Sequence, residues 1–382
     1  MKKLLFLAIF AFVSQMLNAQ DLKKVQTSYM LNRFEEAKTE LDKVLADPKQ
    51  QTKIEALYWN SKVDAAIFKK AAANQIKVGN SKNDVEKQMG KPSNISKITS
   101  EKDYNELYFY PGAEIGFDTN GIVKYIHELD NAINLKIKAP VKEMKDADEA
   151  FKKYIAVDPA YAQVKEKGAE GFFDMYGTAY SIGVKVFNDK KWEDAIVNFM
   201  VAVDYSDIIF KNKWTSSSIP FDTTSILFLG YSYQNATKNA EAVKQYTRLA
   251  DGKVGGESNI DMYKFLANQF TITKNEANFT KYIAISKELY PKEVKIWEEF
   301  EIEYMDENLT LKQKTDMYDK EDAAGSLSEV KYLQFGDIFV TAEHKEKNID
   351  SLQKIKYSLK AVEAFQKAFA KNNQNGIAAF NG

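Results

Sequence analysis

Small and aromatic residues recur along this chain at fixed spacing, and this spacing constrains the fold more than any other feature. In residues 181–204, Gly183 is followed at offsets of 3, 12, 16 and 19 by Val186, Ala195, Phe199 and Ala202. Residues 229–251 have the same offsets, at Gly230, Tyr233, Ala242, Tyr246 and Leu249. A small residue lets two helices approach closely, and an aromatic ring fills the space beside it. The pattern therefore predicts pairs of packed helices.

Further copies of the pattern cover most of the chain. A third copy occupies residues 267–291, and partial copies end at Pro48 and Pro159, where proline stops a helix. In the copy that begins at Gly336, the next small residue, Ala361, lies 25 positions later instead of 12. These 13 extra residues predict a longer turn or longer helices. With a loose match over residues 294–325, we expect six or seven helical pairs.

This spacing resembles that of the tetratricopeptide repeat, whose unit has about 34 residues. The resemblance implies a mostly α fold, in which the pairs stack as a right-handed α-solenoid over residues 20–72 and 141–382, with an incomplete last repeat. It also implies that the first helix of each pair lines a concave groove that binds a protein or peptide partner. Counted from the small positions, the groove-facing residues are Tyr180, Val184, Phe187, Leu227, Tyr231, Gln234, Lys264, Asn268 and Thr271. Lys264 and Asn268 resemble part of the carboxylate clamp with which some of these proteins hold a peptide C-terminus.

Residues 75–130 have a different period and predict a second, smaller fold. Residues 106–129 alternate in polarity and are rich in aromatic and β-branched residues, with turn residues at 118–121. Before them, a short helix is expected after Ser81, ending at Gly90 before Pro92. This region therefore predicts a strand, a turn and a helix, followed by a small antiparallel sheet.

Residues 75–130, which we call the insert, resemble the SmpA/OmlA family of small outer-membrane assembly lipoproteins. The residues that carry this resemblance are Gly79, Val85, Gly90, Pro92, Phe117, Asp118, Gly121 and Val123. The resemblance implies helices packed on a three-stranded sheet that makes protein–protein contacts. The chain departs from the family because it has no cysteine to carry a lipid.

Composition excludes several classes of function. The chain has 53 basic and 54 acidic residues and a formal net charge of −1, so no basic surface for nucleic acid is expected. It has no cysteine and two histidines, which argues against disulfides, thiol nucleophiles and multi-histidine metal sites. Ser328 and Lys331 form an S-x-x-K pair, but serine is common at the start of a helix, and an N-cap is the better interpretation. We expect no catalysis, no metal and no cofactor.

The N-terminus predicts export. Residues 1–19 combine Lys2 and Lys3 with a short apolar run and a final alanine, which is typical of a cleaved signal peptide. No later segment is long and apolar enough to predict a membrane span. The sequence thus predicts a non-enzymatic periplasmic or secreted scaffold, in which the groove and the insert bind protein partners, with a possible role in cell-envelope assembly. The alternative is a glycan-uptake or other outer-membrane associated binding component, which would expose Trp214 and Trp297 together for sugar stacking.

Overall fold

The computed structural model describes residues 22–73, 76–111, 113–128, 140–345 and 350–381. The predicted signal peptide, residues 1–19, lies outside the described residues. The chain forms two compact units that divide between Ala236 and Thr237. Helix dominates both units, which confirms the prediction of a mostly α chain, and one small sheet lies in the first unit.

The described helices follow one another along each unit, and in the first unit the sheet lies between α4 and α5. Those of the first unit are α1 (residues 22–30), α2 (Phe34–Leu45), α3 (Ile54–Ala73), α4 (Lys82–Met89), α5 (Val141–Val157), α6 (Ala162–Lys167), α7 (Glu170–Asn188), α8 (Trp192–Lys211) and α9 (Thr223–Asn235). Those of the second unit are α10 (Asn239–Asp251), α11 (Ile260–Ile272), α12 (Glu276–Leu289), α13 (Val294–Asn308), α14 (Leu311–Ala323), α15 (Glu329–Lys345), α16 (Ser351–Lys371) and α17 (Gly376–Asn381). Among the neighbours that pack together are α2 with α3, α7 with α8, α11 with α12, and α15 with α16.

Two of these pairs show the close approach that the small residues predict. Between α7 and α8, a Cβ atom added at Gly183 would lie 2.8 Å from the ring of Phe199. Between α15 and α16, a Cβ atom added at Gly336 would lie 2.6 Å from the ring of Phe365. Both rings are buried. The spacing in the sequence therefore identified residues at which the two helices of each pair approach closely.

Three turns between consecutive helices share one backbone conformation. A residue with left-handed backbone angles lies two positions before the second helix, at Asn32, Lys190 and Lys274. In each turn, the amide of the following residue donates to the carbonyl five positions earlier. This is the Schellman arrangement that closes the C-terminus of a helix. The repetition seen in the sequence is thus present in the backbone as well.

The insert contains a four-stranded antiparallel sheet, in which each strand pairs with the next along the chain. The strands are β1 (Asn94–Lys97), β2 (Glu106–Tyr110), β3 (Ala113–Phe117) and β4 (Val123–Glu128). The strands predicted over residues 106–129 correspond to β2, β3 and β4. β1 was not predicted, because four residues with one apolar side chain are too few to show alternation. Ile76, Val85, Ile115, Phe117 and Val123 lie in the core that joins the sheet to α4.

The predicted strand before α4 is absent from the described residues 76–80. This segment turns at Gly79 and attaches to the sheet by two backbone hydrogen bonds. The amide of Gly79 donates to the carbonyl of Val123, and the amide of Val123 donates to the carbonyl of Asn80. The segment therefore closes one end of β4 without forming a strand of its own.

The helix and turn signals of the insert are confirmed. Ser81 and Asp84 form a capping box, in which each side chain accepts a hydrogen bond from the backbone amide of the other. α4 ends at Gly90, whose φ is +80°. At the predicted turn, the amide of Ile122 donates to the carboxylate of Asp118 and holds the pKa of that carboxyl below its usual value.

The insert lies in the sequence between two helices, α3 and α5, that belong to the same group of packed helices. α3 packs against both α5 and α7, although the whole insert separates α3 from α5 in the sequence. The two ends of the insert are therefore attached to helices that already contact each other. This arrangement places the sheet beside the C-terminal end of α3.

A buried carboxylate closes the loop between α5 and α6. Asp158 is 4% exposed and accepts hydrogen bonds from the amides of Ala162 and Gln163 and from the hydroxyl of Tyr154. Burial by itself raises the pKa of Asp158, but these three hydrogen bonds outweigh it and lower the pKa overall. Asp158 is thus a charged N-terminal anchor for α6.

Candidate functional site: a lysine cleft beside an edge strand

A cleft of about 1380 Å³ opens in the first unit between the C-terminal end of α3, strand β4 and helix α7. We call it the lysine cleft. Its lining comprises Lys69, Ala72, Ala73, Lys77, Val78, the four residues 124–127, and residues of α7 and the following turn between Phe173 and Lys191. Its size exceeds the range of about 300–1,000 Å³ that is usual for small-molecule sites. The cleft is therefore large enough for a segment of polypeptide.

The helical walls of the cleft are held together by two ion pairs between α3 and α7. The ammonium of Lys69 lies 2.7 Å from the carboxylate of Asp174, at the edge of the cleft. Two turns earlier in α3, Lys62 pairs with Glu170 at the start of α7. Because the pairs are spaced by nearly two turns, they fix the direction of one helix against the other. One pair, Lys69 with Asp174, thus belongs to the lining of the cleft, and the other, Lys62 with Glu170, positions the same two helices from outside it.

Aromatic rings surround the lysine of the ion pair between Lys62 and Glu170. The side chain of Lys62 is 8% exposed, and its ammonium lies 5.1, 5.7 and 5.3 Å from the ring centroids of Tyr29, Tyr58 and Trp59. A cation buried against aromatic faces is stabilised by their quadrupoles. Lys62 is a charged residue of a type usually found at the surface, but here it is part of the core of the first unit.

Positive charge dominates the cleft. Five lysines line it, at Lys69, Lys77, Lys124, Lys185 and Lys191. Two aspartates, Asp174 and Asp189, also line it, so the formal charge of these seven residues is 5 − 2 = +3. The chain as a whole carries −1. Lys124 also lies 3.5 Å from Asp118, which is outside the lining. The positive excess of the lining residues is thus a local feature, and it favours an anionic ligand.

β4 presents its edge to the cleft. Four consecutive residues, 124–127, line the cavity, whereas one face of a strand would contribute alternate residues. β4 is the last strand of the sheet and pairs with β3 alone. Among the described residues, Val123 is the one residue of β4 whose backbone bonds to a segment outside the sheet. No other described segment pairs with the rest of this edge, which can therefore accept another strand.

Apolar groups complete the lining. Val78 and Phe173 are 60% and 38% exposed, and Ile182 contributes from α7. In β4, the ring of Tyr125 stacks on that of Tyr104, with centroids 5.0 Å apart. The neighbouring residue of β3 is Gly116, where an added Cβ atom would lie 2.7 Å from Tyr104. The glycine therefore leaves room for the stacked pair beside the cleft.

The groove residues predicted from the repeat do not line the lysine cleft. Tyr180, Val184 and Phe187 lie on α7, and Leu227, Tyr231 and Gln234 lie on α9; all six are partly buried in the first unit. Phe228 joins these helices, since its ring centroid lies 6.4 Å from that of Tyr180 and 5.1 Å from that of Phe187. This face of α7 thus packs on α9 at its aromatic positions.

The three remaining groove residues lie on α11 in the second unit. Lys264 is partly buried, and its ammonium lies 3.2 Å from the carboxylate of Asp261. Asn268 is exposed, whereas Thr271 is 1% exposed and donates its hydroxyl hydrogen to the carbonyl of Ala267. Thr271 therefore has an internal partner and presents almost no surface.

Repeat counting missed the cleft because its residues come from segments that are far apart in the sequence. Lys69 and Lys185 belong to different helices, and Lys124 belongs to the insert. The signal available in the sequence was the edge position of the last predicted strand together with the lysines near it. Their convergence depends on the packing of α3 against α7.

The S-x-x-K pair has a structural role in the second unit. The hydroxyl of Ser328 accepts a hydrogen bond from the amide of Lys331, as in an N-cap. The ammonium of Lys331 lies 3.0 Å from Glu301 and 3.1 Å from Glu321. These carboxylates raise the pKa of Lys331 against the opposing effect of burial, which favours the charged form of the amine.

No known protein family matches the chain, and no curated protein is significantly similar to it. Within the described part of the chain, no three histidine, aspartate or glutamate residues are grouped so that they could bind a metal. None of the described helices is long and apolar enough to cross a membrane.

Proposed function

We propose that this chain is a non-catalytic binding protein, and that its lysine cleft holds an extended, acidic segment of a partner protein as an additional strand beside β4. The observation that carries this proposal is the open edge of β4, which faces a cleft lined by five lysines and two aspartates. Strand addition supplies affinity through backbone hydrogen bonds, and side-chain pockets supply specificity. Here the lysines would select acidic side chains.

The proposal includes the fold and the setting that the sequence suggests. The repeated turns and the glycine–aromatic contacts support stacking of the helical pairs in the manner of a tetratricopeptide array. The partly exposed groove residues of α7 and α9, in the first unit, are proposed as a second surface for the same partner. Export to the periplasm or beyond rests on the pattern of residues 1–19 alone.

The glycan-binding alternative gains no support from the tryptophans. Trp297 is fully buried in the second unit. Trp214 is partly buried and packs against Tyr161 and Phe172, at centroid distances of 5.3 and 5.0 Å. Trp297 has no exposed surface, so the two tryptophans are not exposed together as this alternative requires, and a protein ligand is the better proposal.

The direct test uses two labelled peptides of about ten residues, which span roughly 33 Å when extended. One alternates glutamate with threonine, and the other alternates lysine with threonine. Fluorescence anisotropy at physiological salt should show binding of the acidic peptide and at least about tenfold weaker binding of the basic one, a difference of about 1.4 kcal/mol. Equal affinity for both peptides would contradict the proposal.

Two further comparisons locate the site and its mode of binding. A variant with Lys77→Glu and Lys185→Glu should bind the acidic peptide at least about tenfold more weakly. The matched control, Lys97→Glu with Lys102→Glu, changes the net charge equally on exposed residues of the insert outside the cleft lining and should bind normally. N-methylation of alternate amides in the peptide removes the donors that a strand needs, and unchanged affinity would refute strand addition.

A further inference from the structure

An apolar stripe runs along the outer face of α16 in the second unit. Its members are separated by alternating steps of three and four residues, at Leu352, Ile355, Leu359, Val362, Gln366 and Phe369. The five apolar members are 78%, 56%, 66%, 38% and 38% exposed in that order. Single exposed apolar residues are ordinary, but a sustained spacing of this kind is the a/d pattern of a coiled-coil seam.

The opposite face of α16 attaches the helix to its own unit. Ala361, Ala364, Phe365 and Ala368 are buried in a core that includes Phe339 of α15. On the flank, Lys360 pairs with Asp319, and Lys367 lies 2.7 Å from Asp322, both on α14. The apolar stripe is therefore additional to the face that the fold of this unit uses.

We propose that the stripe on α16 is a homodimer interface, in which the same helix of a second copy packs antiparallel to it. When the two helices pair antiparallel about a twofold axis near Ala361, three different pairs of stripe residues meet across the interface, and symmetry makes each pair occur twice. Leu352 meets Phe369 of the second copy, Ile355 meets Gln366, and Leu359 meets Val362. The interface is self-complementary, as a twofold dimer requires.

Charge complementarity identifies the occupant and its direction. Beside the stripe, Lys356 and Glu363 are exposed and occupy equivalent heptad positions. Within the same helix, the carboxylate of Glu363 lies 2.6 Å from the ammonium of Lys367, and its side chain remains 51% exposed, so it can accept a second cation. In the antiparallel register, Lys356 of each copy lies opposite Glu363 of the other, which gives two opposite-charge pairs. In a parallel dimer, the same residues would lie opposite Ser351 and Ser358, and no such pair would form. A second copy in antiparallel orientation is thus the occupant that fits the charges.

The length of the seam sets the strength of the dimer. α16 has 21 residues, which corresponds to about 30 Å of helix. A seam formed by one helix from each copy lies at the small end of specific interfaces. We therefore expect a reversible dimer that dissociates in the micromolar range.

Sedimentation velocity of the mature chain, over concentrations from about 1 to 100 μM, tests the proposal. The wild type should shift from monomer to dimer, and Leu359→Glu should weaken dimerisation at least about tenfold. Ile272→Glu, at a residue of α11 that is 60% exposed, is the control and should dimerise normally. A chain that stays monomeric throughout, or a dimer that Leu359→Glu leaves unchanged, would overturn the proposal.

Two experiments test the antiparallel register. Lys356→Glu and Glu363→Lys should each weaken the dimer, and the double swap should restore it. The absence of cysteine in the chain allows single cysteines to be introduced cleanly. Under mild oxidation, an equal mixture of Leu352→Cys and Phe369→Cys chains should crosslink between the two variants, whereas efficient crosslinking of Leu352→Cys with itself would show a parallel seam and refute this register.

Discussion

The packing of α7 predicts that one substitution, glycine to alanine, has opposite effects at two positions of the same helix. At Gly177, an added Cβ atom would meet nothing within 4 Å. At Gly183, it would lie 2.8 Å from the ring of Phe199. Phe199 is fully buried and stacks on Phe228 at a centroid distance of 5.3 Å, so it has little room to move away. Gly177→Ala should stabilise the first unit, and Gly183→Ala should destabilise it.

The magnitudes follow from two contributions. Alanine is favoured over glycine inside a helix by about 0.5–1 kcal/mol, and this contribution is common to both positions. Overpacking a well-filled core costs about 1–3 kcal/mol, and this contribution applies to Gly183 alone. Gly177→Ala should therefore raise the free energy of unfolding by about 0.5–1 kcal/mol. The free energy of unfolding of the Gly183→Ala variant should be lower than that of the Gly177→Ala variant by about 1–3 kcal/mol.

Urea denaturation, followed by far-UV circular dichroism, measures both changes. The midpoint should shift while the m value stays constant, because neither variant alters the surface exposed on unfolding by much. If the two units unfold separately, hydrogen exchange of peptides from α7 identifies the transition of the first unit. Gly183→Ala at least as stable as Gly177→Ala would refute the inference that a small residue is needed where α7 crosses α8.

Three further substitutions test contacts elsewhere in the chain. Gly336→Ala should destabilise the second unit by about 1–3 kcal/mol through the contact with Phe365, which thermal unfolding would show as a lower Tm of that unit. Ser81→Ala should cost about 1 kcal/mol by removing the N-cap of α4, measured as faster hydrogen exchange in that helix. Asp158→Asn should cost about 1–3 kcal/mol at neutral pH, as judged by urea titration. Because the pKa of Asp158 is lowered in the folded state, its stabilising effect is complete above the usual aspartate value of about 4 and is lost as the pH falls through the lower folded value. The difference between wild type and Asp158→Asn should therefore shrink in acid, and a difference that grows in acid would contradict this sign.

Local signals in the sequence predicted the elements that depend on neighbouring residues. Ser81 and Gly90 fix the ends of α4 through hydrogen bonds within a few positions, and both were recognised. The glycine–aromatic contacts were also recognised, since the spacing from Gly183 to Phe199 reflects two helices joined by a short turn. β1 was missed because its pairing with β2 is set by the register of a longer neighbour and not by its own alternation.

The groove and the cleft differ in how their residues are brought together. The groove prediction extended one helix face from pair to pair, and for Thr271 it chose a residue that is buried by its own turn. The lysine cleft depends on contacts between segments separated by more than one hundred residues, such as that of Lys69 with Asp174. No periodic pattern in a single sequence encodes such a contact. This is why the fold class was predictable and the candidate site was not.

The position of the insert gives a physical reason for the cleft to exist where it does. α3 packs against α5 and α7, so an insert between α3 and α5 must emerge beside the wall that α3 and α7 form. Its last strand, β4, is the last described element before α5 and lines the cleft together with that wall. Among the described residues, only Val123 of its free edge has backbone bonds to a segment outside the sheet. An unpaired strand edge can pair with the strands of other chains and cause aggregation, and lysines at such an edge commonly prevent this. At Lys77 and Lys185, which are exposed, charge adds little to stability, so charge reversal there should leave the unfolding midpoint nearly unchanged while it weakens the binding of an acidic strand. That separation of binding from stability would not be expected if the lysines served only to hold the fold together.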